Sequence, residues 1–236
     1  MKQATRFTVY GILIILLLLV LGLFYSRSWE RALFIEPYFR IQTEDKLVAL
    51  TFDDGPSPQR TLPLLRLLQE KEVKATFFML GENIEKHDSI ARKVFEEGHL
   101  IGNHSYDHPR LILRSVAFTR DQIVRTDRLI QRLGQKEVRY FRPPYSSKYI
   151  ILPILLRSMN KILVTGTYDP PSEYKSPYDG QQVAQEVMEN VQPGSVIYLH
   201  DGIHRDPEAF IQSVDLIIDS LRASGYRFVR LDVPSQ

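Results

Sequence analysis

Apolar positions along this chain form one long unbroken run and, after it, a regular alternation of short runs with longer periodic segments. Val9 to Tyr25 carries no charge; Lys2 and Arg6 precede it and Arg27 follows. With Phe7 and Thr8 the run reaches the lower end of the roughly 20 residues that a membrane-spanning helix needs. A cleaved signal peptide is the competing reading. Against it, the run is longer than a usual apolar signal core, and Phe24-Tyr25-Ser26-Arg27-Ser28 offers no small-x-small cleavage site. The expected organisation is a short cytoplasmic amino terminus (1–6), a single membrane anchor (7–25), a juxtamembrane connector (26–45) and an extracytoplasmic domain (46–236). Lys2 and Arg6 on one side face Arg27 and Arg31 on the other, so the positive-inside rule favours this orientation by a narrow margin. Trp29, just past the run, suits either the lipid headgroup layer or the surface of the domain.

From residue 46 the pattern changes. Residues 46–52, 75–79, 99–102, 138–141, 161–165, 196–199 and 227–231 are short apolar or β-branched runs, predicted as strands. Between them, 60–70, 83–97, 119–133, 149–159, 181–191 and 208–223 place apolar residues at helical spacing, with Thr119 as a cap of the third. About seven strands alternating with helices predict a parallel α/β protein, either a barrel or a doubly wound sheet.

Composition narrows the chemistry. The 236 residues are 44% apolar and 25% charged with a net charge of +2, which excludes a disordered chain and gives no basic excess for nucleic acid. Residues 1–40 hold five Lys and Arg against two Glu, so the remainder is close to neutral. No obligate protein partner is evident. There is no cysteine, so a metal site would have to use His and carboxylates.

The polar clusters follow the predicted strands: Asp53-Asp54-Gly55-Pro56 after the first, Asn103-His104 to His108 after the third, Arg142-Pro143-Pro144-Tyr145 after the fourth, Tyr168-Asp169 after the fifth and His200-Asp201-Gly202 after the sixth. In parallel α/β folds the carboxyl ends of strands form the face where active sites are built. Taken singly, Asp-Asp-Gly-Pro reads as a turn and a His pair in a polar loop as solvated. Together, Asp54, His104 and His108 make two imidazoles and one carboxylate, a metal-binding set with positions left open. Arg142 would keep a neighbouring carboxylate ionised. His200 is better placed for acid–base work than His87 or His99, which read as solvated, and His204 reads as a loop residue.

In this order, these motifs resemble the polysaccharide deacetylase family, also called the NodB homology domain or carbohydrate esterase family 4. The resemblance spans nearly all of 46–233 and includes Thr51-Phe52-Asp53-Asp54-Gly55-Pro56, the strand Lys74-Ala75-Thr76-Phe77-Phe78 and Gly225-Tyr226-Arg227-Phe228. It implies a distorted (β/α) barrel of about seven strands. Asp53 would be the catalytic base, Asp54, His104 and His108 the ligands of a divalent metal, zinc first with cobalt, nickel, manganese or iron also fitting. Arg142 would orient Asp53, the Tyr145 backbone N–H would bind the oxyanion and His200 would be the acid. The implied activity is hydrolysis of N-acetyl groups on a cell-wall or surface polysaccharide. The family's fourth motif departs here: Asp169 matches its first Asp, which would support Arg142 and His200, but its tryptophan is absent and Tyr174 is the nearest aromatic. Three alternatives share these residues: an O-acetyl esterase, a metal-holding glycan-binding protein without turnover, and a non-haem iron oxygenase.

Overall fold

In the computed structural model, residues 2–26, 28–202 and 206–232 are described, the backbone alone for 2–8, 15, 18, 19 and 21. His204 lies outside the described residues. The alternating pattern is realised as strands β1 (Leu47–Asp53), β2 (Thr76–Met79), β3 (Leu100–Asn103), β4 (Tyr140–Phe141), β5 (Ile162–Leu163), β6 (Ser195–His200) and β7 (Arg227–Phe228). The helices are α1 (Lys2–Tyr25), α2 (Thr61–Glu70), α3 (Gly81–Lys86), α4 (Asp88–Glu96), α5 (Val116–Arg132), α6 (Ile151–Ser158), α7 (Gly180–Asn190) and α8 (Pro207–Ala223).

All strand pairings are parallel, in the order β5-β4-β3-β2-β1-β6, with β7 added beside β1. β1 is central: Thr51 to Asp53 pair with Thr76 to Phe78 on one side, and Val48 to Asp53 with Ser195 to His200 on the other. Covered on both faces, it is an apolar run rather than an alternating one, as buried parallel strands are. Val48, Leu50 and Phe52 join Leu64 and Leu68 of α2 and Phe210 and Val214 of α8 in the main core. On the opposite face Ala49 packs with Phe78, Val164, Val196 and Ile41.

The expected barrel is only partly formed. The sheet curls into a half-barrel, and β5 and β6 are not paired with each other among the described residues. Single bridges span the gap instead: Tyr38 to Val164, Arg40 to Ser195 and Tyr168 to Ile197. The Tyr38 N–H donates to Leu163 O and the Ile41 N–H to Gly194 O, each at 2.8 Å. Residues 26–45 are therefore not a free connector. They pack on the domain and bridge its open seam, and buried Lys148 donates to Ser26 O at 3.2 Å and Ser28 O at 2.6 Å.

The single helix expected over 83–97 is broken in two at His87, whose backbone leaves helical space (φ −135°, ψ 46°). The third predicted helix starts earlier than expected: Ser115 caps α5 by accepting from the Phe118 N–H, and Thr119 lies buried inside the helix. His99, expected to be solvated, is buried, and its Nδ1 accepts from the Ala75 N–H at 3.1 Å. Burial lowers its pKa to about 3, so it is a neutral structural group.

The membrane-spanning anchor expected over 7–25 is not upheld by the structure: among the described residues, no helix is long and apolar enough to cross a membrane. Ile15, Leu18, Leu19 and Leu21, which belong to the uncharged run, are among the residues described by backbone alone. α1 nevertheless exposes Ile12, Leu13, Ile14, Leu16, Leu17 and Phe24.

Candidate active site

The carboxyl ends of β1, β3, β4 and β6 bring seven of the expected site residues, Asp53, Asp54, His104, His108, Arg142, Tyr145 and His200, to or just behind the mouth of the curled sheet. Asp53 ends β1 beside His200, which ends β6 in direct register. Asp54 follows with φ 72°, in the left-handed region that Asp tolerates better than most residues. Gly202 allows this approach, since a Cβ there would collide with Asp54. His104 follows β3 and is fixed by its N–H to Met79 O at 3.0 Å. Positive φ recurs at Ser105, His108, Tyr145 and Ser146, so the site loops hold several non-glycine residues in sparsely populated backbone space.

Asp53 is buried and bound by Arg142, whose Nη1 donates to Oδ1 at 2.6 Å. Arg142 is fully buried, donates also to Thr51 Oγ1 at 2.8 Å, and lies between the rings of Phe78 and Tyr198 at 4.1 and 3.7 Å. A guanidinium fixed on both faces and along one edge holds Asp53 in one orientation.

Asp54 Oδ1 lies 3.3 Å from His104 Nε2 and 3.3 Å from His108 Nε2. His104 Nδ1 is 2.8 Å from Arg142 O, a group that can only accept, so Nδ1 carries a proton and Nε2 is the atom left to ligate when the ring is neutral. In that neutral form two lone-pair-bearing atoms face each other in a buried site, and Asp54 Oδ1 has no hydrogen-bond partner among the described residues. A cation among the three resolves this. Zinc bonds of about 2.0–2.1 Å at tetrahedral angles separate ligand atoms by about 3.3 Å. Burial alone would raise the Asp54 pKa, but without a metal a protonated His104, with His200 and His108 adding, holds it below the usual carboxylate range. Burial and then His104 lower that of His108, favouring the neutral, ligating imidazole.

His200 is held differently from the expectation. Its Nδ1 lies 2.9 Å from Glu173 Oε2, and its backbone N–H donates to Glu173 Oε1 at 2.8 Å. Burial works against the charged imidazole, yet the Glu173 carboxylate raises its pKa to about 10. Asp169, expected to support both Arg142 and His200, instead accepts from Tyr174 Oη at 3.0 and 2.9 Å, and Tyr174 Oη lies 3.3 Å from His200 Nε2. Burial raises the Asp169 pKa to about 6. Asp169 thus reaches His200 through Tyr174. Glu173 was not singled out in the sequence; the one signal was a carboxylate in the same divergent stretch, which a 3-10 turn over Pro171–Tyr174 swings under the end of β6.

Tyr145 stands at the rim, its ring 4.5 Å from that of His108 and 4.0 Å beneath the Arg110 guanidinium. A cavity of about 690 Å³ is lined by Asp53, Asp54, His104, His108, Tyr145, Asp169, Tyr174 and His200. Arg142 lies behind it, reaching the cavity through Asp53. Such an arrangement can hold a divalent cation at one end and offers the Asp53 carboxylate and the protonated His200 imidazole on either side of a reacting carbonyl.

The family model described as polysaccharide deacetylase matches residues 40–160. A peptidoglycan-N-acetylglucosamine deacetylase of Bacillus cereus is 36% identical over 210 residues, covering 86% of this chain and 74% of that protein. A chitooligosaccharide deacetylase of Azorhizobium caulinodans is 30% identical over 198 residues, 79% of this chain and 93% of that protein. Among solved structures, the Bc1960 peptidoglycan N-acetylglucosamine deacetylase in complex with 4-naphthalen-1-yl-N-oxidanyl-benzamide superposes with a TM-score of 0.77 at 34% identity, covering 82% of this chain and 89% of that one.

Proposed function

The chain belongs to the polysaccharide deacetylase family, and from that premise we propose that it hydrolyses N-acetyl groups on a cell-wall or surface glycan, peptidoglycan or chitin-like, releasing acetate and a free amino sugar. The observation that carries this reading is the convergence of Asp53–Arg142, Asp54–His104–His108 and His200–Glu173 on one cavity.

Asp54, His104 and His108 would hold a divalent metal, and the 3.3 Å separations from Asp54 to the two imidazoles suit zinc. When bound, it would polarise the acetyl carbonyl and make a water molecule more acidic. Asp53, held in place by Arg142, takes the proton of the attacking water. The Tyr145 N–H helps to stabilise the oxyanion of the tetrahedral intermediate; one such donor is commonly worth about 3 kcal/mol. His200, protonated through its pairing with Glu173, gives its proton to the departing nitrogen. Water is consumed and the C–N bond breaks, with Asp53 gaining one proton and His200 losing one.

The chain further fits attachment to a membrane through α1, with the domain outside the cytoplasm. The uncharged run of Val9 to Tyr25 and the exposed Ile12, Leu13, Ile14, Leu16 and Leu17 support this. Peptidoglycan, chitin oligomers and acetylxylan offered side by side to the metal-loaded protein test the reaction. Acetate from the first two is expected. Acetate from acetylxylan alone would assign the O-acetyl esterase reading, and none from any would favour a glycan-binding protein.

A further inference from the structure

Trp29 is the chain's single tryptophan and lies between α1 and β1, in a segment that supplies none of the groups assigned above. Its half-buried side chain nevertheless lines the catalytic cavity together with His200, Tyr174 and Tyr145. The residue also lines a second cavity of about 350 Å³ with Phe39 and Tyr168.

The loop that carries Trp29 is held in place. The Trp29 carbonyl accepts from Thr165 Oγ1 at 2.6 Å, and Lys148 clamps the preceding turn through Ser26 O and Ser28 O. The indole lies against Tyr198, ring centroids 5.6 Å apart and tilted by 37°, and Tyr198 in turn covers Arg142. A large aromatic immobilised before substrate arrives, open to the cavity on one side, binds at little further cost in ordering. Pyranose rings present a face of C–H groups, which an aromatic face covers without leaving polar groups unpaired.

We propose that Trp29 is a specificity-determining residue, the wall on which a sugar ring of the N-acetylated glycan lies while Asp53 and His200 reach the acetamide. This rests on the deacetylase reading and names how the substrate is held. It also gives residues 26–45 a function, since the segment that bridges the open seam of the sheet then supplies one side of the groove.

Because Trp29 is the only indole, tryptophan emission reports it alone. The full-length, metal-loaded Asp53→Asn protein titrated with the tetramer of N-acetylglucosamine should show a saturating change in emission. In the otherwise unmodified enzyme, Trp29→Ala should raise KM for the tetramer about tenfold, equivalent to about 1.4 kcal/mol, with a much smaller change in kcat. Trp29→Phe, which keeps a ring, should fall between, and metal content and melting temperature of both variants check that the fold is intact. Turnover of the tetramer with emission unchanged and KM within twofold in Trp29→Ala would overturn the inference and leave the deacetylase reading standing. Emission that responds to phosphatidylglycerol vesicles but not to the tetramer would assign the indole to lipid and overturn it as well. Absence of acetate release from any glycan would instead remove the deacetylase reading itself and this inference with it.

Discussion

Replacing Glu173 with Gln keeps the shape beneath His200 and removes one charge. In the native protein the carboxylate takes both the Nδ1 proton and the backbone N–H of His200. With charge centres roughly 4 Å apart and an effective dielectric of about 20, the attraction is about 4 kcal/mol, or ~3 units of pKa. That magnitude supplies most of the rise of the imidazole from its ordinary 6.5 to about 10, and the hydrogen bond to Glu173 with the nearby Asp53 and Asp54 offsets burial. A Gln that still accepts the backbone N–H turns its NH2 toward Nδ1, which must then accept, so the cationic form loses its support. As an acid, His200 works only below its pKa. The alkaline limb of kcat/KM for acetate release, measured between pH 5 and 11 on N-acetylglucosamine oligomers, should therefore move down by ~2–3 units, and kcat/KM at pH 8 should fall by roughly 2- to 10-fold. The same pairing bears on folding. A pKa raised in the folded state stabilises fully below the unfolded value near 6.5, and the contribution disappears as pH rises through about 10. Glu173→Gln should accordingly lose more stability at pH 6 than at pH 11 in urea unfolding. A limb that stays in place while the rate drops uniformly would refute the role given to Glu173.

Four further outcomes follow from the structure. Arg142→Met should destabilise the domain by about 3–5 kcal/mol in urea unfolding, because it leaves the Asp53 carboxylate buried without its cation. Chelation should abolish acetate release and lower the melting temperature, since a metal at 100 times its Kd adds about 2.7 kcal/mol; zinc or cobalt restored in stoichiometric amount should recover both. Truncation to 26–236 should keep the melting temperature and lose sedimentation with lipid vesicles. Truncation to 41–236 should lower the melting temperature, because it removes the bridge from Tyr38 to Val164 and the acceptors of buried Lys148.

The parts of the site legible in the sequence are those that follow strands. Asp53, Asp54, His104, Arg142 and His200 each stand at or next to the carboxyl end of a run of buried residues, and parallel pairing then brings them together. His108 needs only a local turn to join His104. Groups reaching the site by another route were not legible. Glu173 arrives through a 3-10 turn and meets a strand 27 residues later, and the sequence offered Asp169 as the more obvious candidate. Trp29 is fixed by a side chain 136 positions away. The seam between β5 and β6 is spanned by backbone at Tyr38 and Arg40, so neither the opening of the barrel nor the docking of 26–45 leaves a trace in hydrophobic periodicity. The break at His87 has the same character: the apolar spacing of Ile84, Ile90 and Val94 suits one helix or two.

The central claim is that this site hydrolyses acetamides with Asp53 as base beside a metal held by its neighbour. It is tested most directly by acetate released from N-acetylglucosamine oligomers by the native protein and by Asp53→Asn, each with metal content measured. Acetate release that falls by at least about 10²-fold in Asp53→Asn, with metal content unchanged, is the predicted result. Equal rates in the two proteins at equal metal content would contradict it.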